Sequence, residues 1–134
     1  MKINDVIEWI QIAEEDFYSA QLLNKAEVRK PKEIICYHCA QAIEKYLKGY
    51  LTYIGIIPPK THNLLLLLES CLEKDKTFEN VRTECGLLNK FTNDIRYPHR
   101  VEIKEEDVAY SINAVNQIKN IEPIKILIDI IERK

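Results

Sequence analysis

The sequence predicts an all-α protein: an antiparallel, up-and-down bundle of five helices, or six if Pro123 opens a separate one. Three observations carry this. Apolar residues recur at intervals of three and four, the period of a helix face, and not at intervals of two. Gly (three) and Pro (five) are scarce; the prolines and Gly55 fall where breaks belong, while Gly49 and Gly86 fall inside helical patterns. No trustworthy strand signal, repeat or low-complexity tract interrupts this pattern, and the connections are short. At 134 residues, 46% apolar and 30% charged, the chain suits one folded domain, residues 1–134, with a sizeable core.

The first helix is expected from Asn4 or Asp5, either a plausible cap, to Glu27. Ile10, Ala13, Phe17, Ala20 and Leu23 form its stripe, flanked by Trp9 and Tyr18, which are placed to meet a partner helix. A break follows at Val28-Arg29-Lys30-Pro31. The second helix starts at Lys32 or Glu33, since Pro suits a first turn, and reaches Tyr53 or Ile54, about 30 Å on. Its core residues include Ile35, Cys39, Tyr46, Leu47, Tyr50, Leu51 and Ile54, and Gly55 is its stop. Pro58 and Pro59 make the loop.

Thr61 is the expected N-cap of a third helix from His62 to Lys74, whose five consecutive leucines, Leu64–Leu68, predict a central position. A fourth helix is expected from Phe78 to Ile95, on Val81, Cys85, Leu88 and Phe91, ending by Tyr97 because Pro98 follows. Lys104-Glu105-Glu106-Asp107 opens the fifth with acidic residues in its first turn, and Val108, Ile112, Val115 and Ile118 carry it to Asn120. Pro123 to Glu132 is a kinked extension or a sixth helix.

A net charge of −2 speaks against a globally basic nucleic-acid binder but not against a local basic patch. The start of the chain has no apolar signal-peptide core, and no apolar run reaches the roughly 18–20 residues of a membrane span. The expectation is a cytoplasmic protein with its four cysteines reduced. Cys36-x-x-Cys39 invites a zinc reading, with Cys71, Cys85 or His38 completing a ligand set. The pair is mid-helix without a knuckle turn, Cys39 falls on the core stripe and Cys71 and Cys85 on apolar faces, where a reduced Cys is a small buried hydrophobe, so no metal and no cofactor is expected.

Two polar groupings stand out. On the second helix His38, Gln41, Lys45 and Lys48 are spaced by three, four and three residues, which puts them on one side. They extend a ligand site, form a dimer face, or are a solvated side with Glu44–Lys48 as an i,i+4 pair; the favoured mixture has Gln41 and Lys45 partly packed and Lys48 exposed. The second is Arg96-Tyr97-Pro98-His99-Arg100. Two guanidinium groups and an imidazole near a helix end suit a phosphate or RNA backbone, which Arg matches bidentately. The plainer reading is that they complement the helix dipole. His62 is expected to fix its loop to the second helix through a backbone bond. Tyr46, Tyr50 and Tyr53, spaced by four and three, either face a partner helix or pack inside.

Ala13-Glu14-Glu15-Asp16-Phe17, then Cys39-Ala40-Gln41-Ala42-Ile43-Glu44-Lys45-Tyr46-Leu47-Lys48, then Pro59-Lys60-Thr61-His62-Asn63-Leu64, then Arg96-Tyr97-Pro98, resemble the HEPN domain family (higher eukaryote and prokaryote nucleotide-binding) over residues 11–118. The resemblance implies a five-helix bundle that homodimerises. Many members are encoded beside a small nucleotidyltransferase, as a toxin–antitoxin or regulatory pair, and some are metal-independent endoribonucleases. The ribonuclease members share an Arg-x(4–6)-His motif after helix 4. Here the Arg would be Arg96, but positions 101–103 are Val101, Glu102 and Ile103, and the nearby His is His99. The implied function is therefore binding of a nucleotide or RNA phosphate by Arg96, His99, Arg100, Lys45 and Lys48, with Gln41, Thr61, His62 and Tyr97 in support. The alternatives are a ribonuclease using Arg96 and His99, and a purely structural dimer.

Overall fold

The computed structural model describes residues 2–93 and 102–133. Among them are six α-helices: α1 (Ile3–Leu23), α2 (Lys32–Tyr53), α3 (Leu64–Leu72), α4 (Arg82–Leu88), α5 (Glu105–Asn120) and α6 (Glu122–Glu132). Two 3₁₀ stretches, Lys76–Val81 and Asn89–Phe91, flank α4, and no strand is present among the described residues. The fold is an all-α helical bundle. Of the two possibilities at Pro123, the separate helix is realised: Ile121 is extended and Pro123 occupies the first turn of α6.

The chain wraps around α2. Fourteen of its 22 residues are buried, and it packs against α1, α3 and α5. Its end follows from local chemistry. Gly55 takes φ +85°, open to glycine at no steric cost, and lets the Ile56 N–H reach the Leu51 carbonyl (2.9 Å) while its own N–H reaches Thr52 (3.1 Å). Tyr46 is fully buried and Tyr50 nearly so, its ring 4.7 Å from that of Phe78, so these two tyrosines pack inside the bundle. Tyr18 is exposed.

Four boundaries differ from expectation. α1 begins at Ile3, with the Asp5 N–H bonded to the Lys2 carbonyl (2.9 Å), so neither Asn4 nor Asp5 caps it; it stops at Leu23, because the residues after it have no core to meet. α3 begins at Leu64, capped by Asn63 and not Thr61: the Asn63 carboxamide oxygen accepts from the Leu65 and Leu66 N–H groups (3.1 and 3.2 Å). Thr61 instead accepts the Asn63 N–H (3.0 Å) in a local turn. The leucine run is not buried all round either, since Leu66 is 47% exposed while Leu64, Leu67 and Leu68 are in the core.

The fourth difference is the stretch from 76 to 91, where one long helix is expected and a short helix between two 3₁₀ turns is found. The expected apolar positions are nonetheless buried: Phe78, Val81, Cys85, Leu88 and Phe91. Phe78–Val81 and Leu88–Phe91 are spaced by three, the period of a 3₁₀ turn; the first pair lies inside a 3₁₀ stretch, and the second runs from the last residue of α4 to the end of the other. Gly86 further weakens the helix between them.

Candidate functional site

The centre of the polar arrangement is Glu44. It follows Ala40 by four residues and precedes Leu47 by three, both fully buried, so α2 points its carboxylate inward, where 1% of it is exposed. A carboxylate in that position must be paired. Oε1 accepts from His62 Nδ1 at 2.8 Å, and Oε2 accepts from Lys48 Nζ at 2.9 Å with Lys45 Nζ at 3.5 Å. Burial by itself would raise the Glu44 pKa. The bonds from His62 and Lys48 and the charges of Lys45 and Lys48 outweigh it and hold the carboxyl below its ordinary value. Glu44 is therefore ionised at neutral pH and accepts only, which assigns the shared proton to His62 Nδ1.

The rest of the polar row divides among different neighbours. Lys48 is 7% exposed, held by Glu44 and 5.6 Å from the centroid of the Trp9 ring, so the expectation of an exposed Lys48 is wrong. It is buried with the Trp9 ring of α1 facing its ammonium group and Glu44 supplying the countercharge. Lys45 is partly packed as expected: it donates to Gln41 Oε1 (2.7 Å) and keeps 16% of its side chain in solvent. Gln41 is buried and donates to the Thr92 carbonyl (3.4 Å). His38 turns to α1, its Nδ1 3.0 Å from Asp16 Oδ1. The expected i,i+4 Glu44–Lys48 pair exists, but in the core and not on a solvated side.

His62 ties the α2–α3 loop to α2, though not through the backbone bond expected of it: its partner is the Glu44 side chain. Its imidazole is 62% exposed, so the Nδ1 edge is anchored and the rest of the ring faces out. The loop is also held from the far side. Asn89 Oδ1 accepts the Leu64 N–H (2.8 Å), and Asn89 Nδ2 donates to Asn63 Oδ1 (3.2 Å). Sequence reasoning missed Glu44 as a centre, although its spacing from Ala40 and Leu47 marks it as inward. It also missed Asp16, Asn63 and Asn89, whose roles depend on contacts 22 to 26 residues away or on the exact helix start.

Arg96, Tyr97, His99 and Arg100 lie outside the described residues. In the chain they follow Thr92, whose hydroxyl donates to the Asn89 carbonyl (2.9 Å) and whose carbonyl is held by Gln41. Cys36, Cys39, Cys71 and Cys85 are all buried and free; for Cys39, Cys71 and Cys85 burial is what their apolar faces predict. Burial pushes the Cys36 thiol up to about 11 and Cys85 up to about 12, and raises Cys39 and Cys71 as well, so none is a ready thiolate. Among the described residues no group of three His, Cys, Asp or Glu side chains is arranged to hold a metal ion. Among them, too, no helix is long and apolar enough to cross a membrane.

No curated protein and no solved structure matches the chain. The family model described as the HEPN domain matches residues 6–126, which takes in all but the first three residues of α1, then α2 to α5, the buried Glu44 cluster and the first turn of α6. HEPN domains are nucleotide-binding and ribonuclease-type modules, and they often dimerise. By that match over nine-tenths of its length, the chain belongs to the HEPN domain family.

Proposed function

We propose that this HEPN domain binds the phosphates of a nucleotide or RNA, with Arg96, His99 and Arg100 as the main contacts and Lys45 as a further one. The observation that supports this most is the link from Lys45 through Gln41 to the Thr92 carbonyl. It links a partly exposed ammonium group, through the Gln41 side chain, to Thr92, which precedes Arg96 by four residues in the chain. The charge balance points the same way: two lysines surround the single carboxylate of Glu44, so the cluster carries a surplus positive charge. Lys48 supports from beneath, by neutralising Glu44. Thr61, in its turn before Asn63, and His62, through Glu44, support the loop alongside.

In this reading the module works as a cytoplasmic homodimer with a nucleotidyltransferase-like partner, as a toxin–antitoxin or regulatory pair. A nucleotidyltransferase encoded next door whose product co-elutes with the chain would support the pairing; a different neighbour would remove it. The binding itself is tested by fluorescence polarisation with a labelled single-stranded RNA at two salt concentrations. Binding should weaken as salt rises. Arg96→Ala and Lys45→Ala should each weaken it about tenfold, the worth of one charged hydrogen bond to phosphate. Affinity unchanged in both variants would overturn the assignment.

A further inference from the structure

α1 carries two stripes. Val6, Ile10, Ala13, Phe17 and Ala20 face the core. On the opposite side Glu8, Ile12, Glu15, Tyr18 and Leu22 recur at intervals of four, three, three and four, the spacing of a second helix face. Its apolar members are left uncovered among the described residues: Tyr18 is 64% and Leu22 52% exposed, and Ile12 is half-buried. Its acids are unpaired there as well. α1 has five carboxylates and no Lys or Arg. Lys119 holds Glu14 (3.2 Å) and His38 meets Asp16 (3.0 Å), whereas Asp5, Glu8 and Glu15 meet no cation among the described residues. Towards the start of the helix the same face opens into a cavity of about 620 Å³, walled by Trp9, Ile12, Ile56, Ile57 and Pro58. Asp5 and Glu8 line it too, against one basic side chain, Lys2. The walls are preformed. The Lys48 ammonium lies 5.6 Å from the centroid of the Trp9 ring, and the Ile56 N–H is bonded to the Leu51 carbonyl. Ile57 is nonetheless 91% exposed.

We infer that this face of α1 docks a basic amphipathic helix of a partner protein. Exposed apolar side chains interleaved with unpaired carboxylates are complementary to a helix whose apolar stripe is flanked by Lys and Arg. One large apolar side chain of that helix fills the cavity against Trp9, and others at intervals of three and four cover Tyr18 and Leu22. Its basic residues meet Glu8 and Glu15, with Asp5 at the end. From Glu8 to Leu22 the stripe runs about 21 Å, which a helix of about 14 residues covers. The same carboxylates repel nucleic-acid phosphate, so the partner is a protein. A second copy offering this face would set its own carboxylates against them. The surface uses none of the residues proposed to hold phosphate, and it stands or falls separately from that reading.

Trp9 is the only tryptophan of the chain, so its emission reports the cavity directly. The probe for the full chain is a synthetic peptide of about 14 residues, without tryptophan, with leucine at helical intervals of three and four and lysine elsewhere. It should shift the Trp9 emission and bind in the micromolar range. A scrambled peptide of the same composition, with no apolar face, should bind at least about tenfold more weakly, as should one with glutamate in place of lysine. Glu8→Gln combined with Glu15→Gln should weaken the probe about tenfold and flatten its salt dependence. Leu22→Ala and Ile57→Ser should each weaken it about threefold or more while leaving the thermal melt unchanged, since both side chains are exposed. Equal affinity for the scrambled peptide, or for the double glutamine variant, would overturn the assignment, and so would no binding at all. Self-association of the chain alone that Tyr18→Ala with Leu22→Ala abolishes, read by sedimentation, would also overturn it, because a second copy would then cover the face.

Discussion

Two histidines among the described residues meet a carboxylate through Nδ1, and the two pairs differ in what is buried. His62 is 62% exposed over a Glu44 that is 1% exposed; His38 and Asp16, at 29% and 19%, both keep some contact with water. The hydrogen-bond lengths are nearly alike, 2.8 and 3.0 Å. Geometry at the bond therefore does not separate them, and burial of the acceptor does. Asp16 can take back water if its imidazole leaves, whereas Glu44 would keep Lys48 on Oε2 but lose the hydrogen bond to Oε1 in the core beside Ala40, Ile43 and Leu47. The first pair is a local contact between α1 and α2. The second is part of how the loop, α2 and the buried lysine hold together.

The largest test of this contrast removes each carboxylate. Glu44→Ala leaves the Lys48 ammonium buried without its partner and should cost about 3–5 kcal/mol in denaturant unfolding at neutral pH. Asp16→Asn should cost about 1 kcal/mol or less, since both groups are partly hydrated. Equal losses would show that acceptor burial does not govern the difference.

Acid should expose the same asymmetry more gently. The folded Glu44 carboxyl titrates below its ordinary value near 4.5, so its ionised form stabilises the fold. That contribution is whole above the ordinary value and is lost as pH falls through the lower, folded one. The stability gap between wild type and Glu44→Gln should thus hold steady from pH 7 to about 5, then narrow below about 4.5. Thermal melts across that range read it directly; a gap unchanged at pH 3 would show that the Glu44 charge contributes nothing.

How much of this was legible beforehand depends on which contacts are local. Both ends of α2 could be read, because Pro31 and Gly55 act on their own neighbours. The buried set from Phe78 to Phe91 could be read, but not its break into 3₁₀ turns, because intervals of three fit either helix type until packing chooses. The polar row could be read as one side of a helix. Its division could not, since its partners arrive from three different places in the chain: Trp9 and Asp16 from α1, His62 from the α2–α3 loop, and Thr92 from the end of the second 3₁₀ stretch. Glu44 was the one partner open to sequence reasoning, through its spacing from Ala40 and Leu47. Family resemblance drew attention to Arg96 instead, which lies outside the described residues.

A smaller change asks from which side the His62 loop is held. Asn63 accepts from the Leu65 and Leu66 N–H groups and from Asn89 Nδ2, so Asn63→Ala strips the α3 cap and one bond to Asn89. The expected loss is about 1 kcal/mol, as for other N-cap truncations, well short of the Glu44→Ala effect. The instructive quantity is their coupling. His62 is the residue before Asn63 and the partner of Glu44, so cap and carboxylate clamp one short segment from two directions. If each needs the other to hold the ring in place, Glu44→Ala with Asn63→Ala should lose at least about 0.5 kcal/mol less than the sum of the single losses. Strict additivity would mean that α3 keeps its start whether or not His62 is anchored, and that Glu44 alone orients the imidazole.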